Sequence, residues 1–461
     1  MQRIGILGSV LLLLASLGVA LAPGAGAAEP TEPTSLTIEA PAAVEGNQTP
    51  VTVSLGDASA PLPGAAIVLE RRNGDAWEHL ADLVTDESGT AVAELTLARD
   101  PADNRVRARY DGDETHAATS ATYQVPLRRR SSRLRLTGPA KIVDETTVRL
   151  TARWRTGSKP VPGEVSLQRR RDGRWHTTAT RRTGADGEVS FKVGPREDSR
   201  WRAVAPAQPW VERARSAAHR LDNVPPGTPV SLPANAPAPR RKLPPQRRAV
   251  GSGANAVIST IPNKVWRQMK GRSWHRGCPV GRAGLRLLRI NYWGYDGYRH
   301  RGEVVAAAGA VGQMSGALAE MYRRELPIRS MYRVDRFGWS AKLRGADDYA
   351  SMAAGNTSAF NCREVVGRPG VRSPHAYGRA LDVNTWENPY RSPQGVFPNR
   401  WWLSHSHPRV AWRSRSHPVV ALMSRHGLRW TYGLSDIHHF DAAVRDGRVV
   451  LPRGCRERVC H

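Results

Sequence analysis

Residues 373–384 read Ser373-Pro-His-Ala-Tyr-Gly-Arg-Ala-Leu-Asp-Val-Asn384, with a histidine and an aspartate seven positions apart. That spacing would bring His375 and Asp382 to one face of a helix. Pro374 and Gly378 argue against a helix, and Ala380, Asp382 and Asn384 alternate as strand residues do. The stretch therefore reads as a loop carrying His375 that folds back beside a short strand carrying Asp382. An imidazole nitrogen and a carboxylate oxygen are two of the three protein ligands a catalytic zinc takes, the fourth position being kept for water.

A third ligand and a base belong together elsewhere in the chain. Residues 430–442, WTYGLSDIHHFDA, offer Asp436, His438, His439 and Asp441. An acid three residues before a histidine can stand beside a metal without binding it, and take a proton from water there. On a regular strand Asp436 and His438 would face one side and His439 the other. A bend near Ile437 is needed for Asp436 and His439 to work together. Each fragment alone is common, whereas the two in this order make a specific pattern.

Upstream, Val304, Val305, Ala308, Val311, Met314, Leu318 and Met321 fall at three- and four-residue intervals and predict a helix within Gly302–Leu326, ended by Pro327. LRLLRINYWGYDG before it predicts a strand and a turn. Helix and strands without strict alternation favour an α+β domain. His405, His407, His417 and His426 sit among Ser, Arg and Pro and read as a solvated loop rather than a second metal site. Trp401 and Trp402 read as packing residues.

The amino terminus carries Arg3, an apolar run from Leu11 to Ala22 and the small residues Ala25-Gly-Ala27, the pattern of a signal peptide over residues 1–28. The run falls short of the roughly 20 residues a membrane span needs; an uncleaved anchor is the alternative. The expected mature chain is exported and has no transmembrane segment. In an oxidising compartment the four cysteines, Cys278, Cys362, Cys455 and Cys460, predict two disulfides. The short loop between Cys455 and Cys460 favours that pair, with Cys278 joined to Cys362. The net charge of +27, from 68 Lys+Arg against 41 Asp+Glu, draws the chain to polyanions. Zinc-finger spacing and the aromatic signature of an RNA-binding sheet are both missing, so nucleic acid is not expected. Outside the cell the polyanions at hand are anionic cell-wall polymers and anionic membrane surfaces.

Residues 61–95 and 160–191 form a weak internal repeat. Each has Pro-Gly, an alternating strand, a basic pair before an Asn-Gly or Asp-Gly turn, a tryptophan (Trp77, Trp175) and a second glycine turn at Gly89 or Gly187. Short alternating segments with such turns predict two antiparallel β-sandwich modules, placed at 33–127 and 132–222, similar to bacterial immunoglobulin-like modules. Neither carries a recurring acid–base pair, so they read as spacers or adhesion modules. Residues 223–253, rich in Pro, Ala and Arg, predict an extended linker. A third domain is expected over 254–461.

The pattern Ser373-x-His-x-x-Gly-x-Ala-x-Asp382, then Asp436-x-x-His439-Phe440-Asp441, resembles the zinc D-alanyl-D-alanine carboxypeptidase and L-alanyl-D-glutamate endopeptidase family of cell-wall peptidases. The neighbouring AFNCR (359–363) and ENPY (387–390) strengthen the likeness, which covers roughly residues 280–442. It implies a small α+β core with an antiparallel sheet, one Zn2+, and cleavage of peptide bonds in peptidoglycan. By the same likeness His375, Asp382 and His439 bind zinc, Asp436 is the general base, and His438 is the rival ligand. An oxyanion-stabilising arginine upstream is implied, with Arg333 and Arg363 both eligible. Ser373 and Tyr377 are expected to bind substrate or to orient His375. The reading is thus two all-β immunoglobulin-like sandwiches followed by a small α+β zinc peptidase domain, in a secreted, wall-associated enzyme. The alternative is a wall-binding or adhesion protein whose metal domain no longer cleaves.

Overall fold

A computed structural model describes residues 31–365, 368–392, 395–455 and 459–460; the signal-peptide reading over 1–28 lies outside the described residues. The chain is mostly β-sheet with few helices. Near the amino terminus, strands Ser35–Glu39, Gln48–Gly56 and Thr90–Thr96 form one antiparallel sheet. A second antiparallel sheet contains Ala66–Asn73, Ala76–Val84, Arg105–Tyr110 and Thr119–Gln124. Alternation decides which faces meet: in Ser35–Glu39 the even-numbered Leu36 and Ile38 are buried and their neighbours exposed. These two join Val51, Val53, Leu69 and Val106 in one buried cluster drawn from both sheets.

The same plan repeats. Strands Arg133–Thr137, Val148–Thr156 and Glu188–Val193 pair antiparallel, and Glu164–Arg171, Arg174–Arg182, Ser199–Ala205 and His219–Val224 belong to the second sheet. Trp154, Leu150, Leu167, Phe191 and Trp201 lie in the shared cluster. The repeated tryptophans flank the hairpins, each beneath an arginine: Arg107 stands 4.7 Å above Trp77 and Arg202 4.5 Å above Trp175. Such cation–π contacts explain why a tryptophan recurs beside the turn.

In the remainder, strands Val257–Thr260, Leu285–Trp293 and Arg299–Ala307 form an antiparallel sheet. A smaller sheet joins Ala380–Asp382, His439–Ala442 and Leu428–Arg429. Helices Val311–Arg323 and Pro418–Arg425 pack with both on a cluster that includes Ile290, Met314, Leu318, Leu381, Leu422 and Phe440. The disulfides are Cys278–Cys362 and Cys455–Cys460. No helix among the described residues is long and apolar enough to cross a membrane.

Two expectations are corrected. The helix begins at Val311, and Val304 and Val305 belong to the strand Arg299–Ala307. Val304, Val305 and Ala306 are all buried, so this strand is covered on both faces and shows no alternation to set it apart from a helix. The segment 223–253 begins with the last two residues of the strand His219–Val224 and has no further helix or regular strand, as its prolines dictate, yet it is tied to the rest of the chain. The Trp386 indole donates to the Pro237 carbonyl, the Tyr332 hydroxyl to the Pro244 carbonyl, and the Val230 N–H to the Tyr295 carbonyl. Its proline carbonyls accept from the third unit, and its Val230 N–H donates to it.

Candidate active site

Ser373 opens a short 3-10 turn, Pro374–Tyr377, by accepting from the His375 N–H. Gly378 ends the turn at φ +66, where a Cβ would stand 2.6 Å from the Ala307 nitrogen. Only glycine lets the chain pass this close to the neighbouring strand and re-enter as Ala380–Asp382. That strand pairs with His439–Ala442 so that Asp382 lies directly opposite His439. The bend needed before His439 is present: a 3-10 turn ends at Ser435, and the strand starts only at His439. Two buried indoles, of Trp412 and Trp430, both donate to the Ile437 carbonyl, at 2.6 and 2.8 Å, and hold the bend.

These elements bring His375, Asp382 and His439 together with their ligand atoms all within 4.8 Å of one another. His375 Nε2 lies 3.2 Å from Asp382 Oδ2 and 3.2 Å from His439 Nδ1, which is itself 3.2 Å from Asp382 Oδ1. The outer ring nitrogens fix the tautomers. His375 Nδ1 donates to the Ala359 carbonyl at 2.6 Å, and His439 Nε2 donates to Asp441 Oδ1 at 3.1 Å. In its neutral form each imidazole then aims a lone pair inward, at the other ring and at a carboxylate. Three acceptors thus converge. A tetrahedral zinc with bonds of about 2.0–2.2 Å sets its ligand atoms about 3.3–3.5 Å apart, close to the spacing here. The donor set fits that metal.

The surroundings carry the same demand. Burial pulls the His439 imidazole down, but Asp441, Asp382 and Asp436 outweigh it and hold the ring well above the usual histidine range. Asp436 is fully buried, with Oδ2 4.0 Å from His439 Nδ1 and Oδ1 3.3 Å from His438 Nε2. It is beside the cluster without being one of its three members. His438 turns its Nδ1 to the Asn388 carbonyl at 2.5 Å and its Nε2 towards Asp436, with Asp382 Oδ2 farther off at 3.9 Å.

The two arginines differ. Arg333 directs its guanidinium at Glu303, Asp335 and Gln268. With two carboxylates on it, its charge is already matched within the fold. Arg363 is completely buried, pairs with Asp348 at 2.7 Å, and follows the disulfide-bonded Cys362. Its carbonyl accepts from Ser373 N–H, one turn ahead of His375. Arg363 also acts on the phenols of Tyr349 and Tyr390; burial pushes both up, and the arginine partly opposes it. Tyr390 is in turn bridged to Asp436 through the backbone.

Ser373 is fully buried, its hydroxyl directed at the Cys460 carbonyl at 3.3 Å. There it braces the turn that carries His375. Tyr377 is half-buried at the end of that turn. The four other histidines are dispersed: His405 bonds the Trp401 carbonyl, His407 that of Ser231, His417 caps a helix, and His426 pairs with Glu320. Sequence reasoning missed Trp412, Trp430 and the Ala359 carbonyl. A carbonyl leaves no mark on its residue type, and the indoles lie far from the motif in one case and inside it without a chemical role in the other.

No curated protein matches the chain. Among solved structures, a marsupial T cell receptor aligns at 8% identity over 58% of this chain and 99% of its own, with a TM-score of 0.24. The D0–D1 domain of intimin aligns at 13% identity over 41% and 97%, with a TM-score of 0.16. The sulfur carrier protein SoxY from Chlorobium limicola f thiosulfatophilum aligns at 13% over 21% and 86%, with a TM-score of 0.17. Such scores carry no argument about fold. The family comparison falls on the site itself: residues 366–442, which hold His375, Asp382, Asp436 and His439, match the D-alanyl-D-alanine carboxypeptidase family model, which marks this part of the chain as peptidase-like.

Proposed function

We propose that the chain is a secreted zinc metallopeptidase that hydrolyses peptide bonds in peptidoglycan stem peptides, as a D-alanyl-D-alanine carboxypeptidase does. The observation that supports it most is the convergence of His375, Asp382 and His439, one ligand atom from each lying within 4.8 Å of the others, beside a buried Asp436 within the family-matched stretch. When bound, zinc supplies Lewis-acid polarisation of the scissile carbonyl. His375, Asp382 and His439 hold it; Asp441 and the Ala359 carbonyl hold the two rings in the tautomer that binding needs. Asp436 takes the proton of the attacking water and returns it to the departing amine. Of the two eligible arginines the oxyanion role goes to Arg363, which carries one carboxylate, Asp348, against the two on Arg333, and whose planar fork suits a carbonyl oxygen gaining negative charge or a substrate carboxylate. The two β-rich units, as immunoglobulin-like sandwiches, position the peptidase at the wall.

The test is mass spectrometry of stem peptides after incubation with the full mature chain, with zinc, with a chelator, and with Asp436→Ala. Chelator-sensitive products missing from the variant are expected, and their mass identifies the bond. Zinc bound with no product formed would refute the peptidase and leave the wall-binding reading.

A further inference from the structure

We propose that one face of the second β-rich unit is a binding site for a phosphate-bearing wall polymer, a flexible chain of phosphodiesters. The site lies on the sheet Arg133–Thr137, Val148–Thr156, Glu188–Val193. In register, Arg133 lies opposite Arg155, Arg135 opposite Arg153, and Arg149 opposite Lys192. Strand neighbours stand about 5 Å apart and alternate residues about 7 Å along the strand, so six cations share one small lattice. Like charges directly opposite one another destabilise a sheet. One carboxylate, Glu188, is interspersed and pairs with Arg153. Four of these arginines, with Ser131, Ser132 and Ser158, line an open depression of 780 Å³.

The fold does not ask for this charge. The first β-rich unit has the same sheet in the same register, with Ser35 opposite Gly56, Thr37 opposite Ser54, and Pro50 opposite Glu94. Position by position, small, neutral or acidic residues stand where the second copy has six cations. Both copies keep the buried alternation, Leu36 and Ile38 in one and Leu134 and Leu136 in the other. The arginines thus belong to the outer face alone and lower the stability of the sheet unless an anion covers it.

Arginine indicates the class of that anion. Its planar fork pairs two N–H groups with two oxygens of a phosphate, and a row of forks at sheet spacing can follow a chain of them. Single-stranded nucleic acid is disfavoured, because the outward residues of these three strands include no aromatic ring on which a base could stack. The inference is independent of the peptidase reading.

The test uses the full mature chain, poly(glycerol phosphate) as probe, and titration across a salt series. The variant Arg133→Ser, Arg135→Thr, Arg153→Ser, Arg155→Ser brings in the first copy's residues at three of its four positions. A control of equal charge, Arg170→Ser, Arg171→Ser, Arg174→Ser, Arg182→Ser, alters exposed residues of the other sheet. At about 0.15 M salt the face variant should bind about tenfold weaker or worse, and its log–log salt slope should drop by about 3, close to one per lost contact. The control should stay within about threefold, and the face variant should melt no lower than the parent, which shows it folded. Equal losses in both variants would reduce the effect to net charge and overturn the site. Tighter binding to single-stranded DNA of equal charge would overturn the polymer class, and no binding by the parent would overturn both.

Discussion

Two regions of this molecule concentrate charge, and they do so in opposite ways. Around His375, Asp382 and His439 the lone pairs of two rings and a carboxylate are turned inward, out of water, with Asp436 and Asp441 adding negative charge. On the second β-rich unit six cations are turned outward and opposite one another. The buried cluster gathers acceptor atoms, and the exposed face gathers donors. The difference lies in specificity: a buried hole of fixed geometry selects one ion, while an exposed lattice selects a class of polymer.

The comparison can be broken most severely at the buried end. Asp382→Ala removes one of three ligands, so bound zinc and peptide hydrolysis should disappear together, as read by metal analysis and product assay. Asp436→Ala should lower the turnover rate about 10²–10⁴-fold with zinc still bound, the signature of a base rather than a ligand. Asp441→Asn leaves the three ligands in place and weakens the hold on the His439 ring, so zinc affinity should fall about 10–100-fold in a competitive chelator titration. The smallest effect belongs to the exposed face. Arg133→Ser removes one half of a like-charge pair and should raise stability by about 0.2–1 kcal/mol in thermal melts, less at high salt. A loss of stability there would mean that the arginines support the sheet, and the contrast between the two regions would collapse.

The sequence showed the cluster far better than its setting. His375, Gly378 and Asp382 are legible because a turn, a positive φ and a strand follow one another within eight residues. The pairing of Asp382 with His439 joins residues far apart in the chain, and only the family likeness suggested it. The choice between Arg333 and Arg363 depends on which carboxylates each meets, and no local pattern encodes that. The false helix start at Val304 came from a strand covered on both faces, whose unbroken apolar run matches either period. The linker's prolines gave no sign that Trp386 and Tyr332 would bind its carbonyls. Charge was visible as a total; the face was not, because it exists only once the register sets Arg133 against Arg155.

The most direct measurement is a zinc titration of the metal-depleted chain, following bound metal and stem-peptide hydrolysis in the same samples. The account predicts that activity rises with zinc and saturates at one ion per chain, and that His375→Ala shows neither binding nor activity. Hydrolysis indifferent to zinc, or one zinc bound with no hydrolysis, would contradict it.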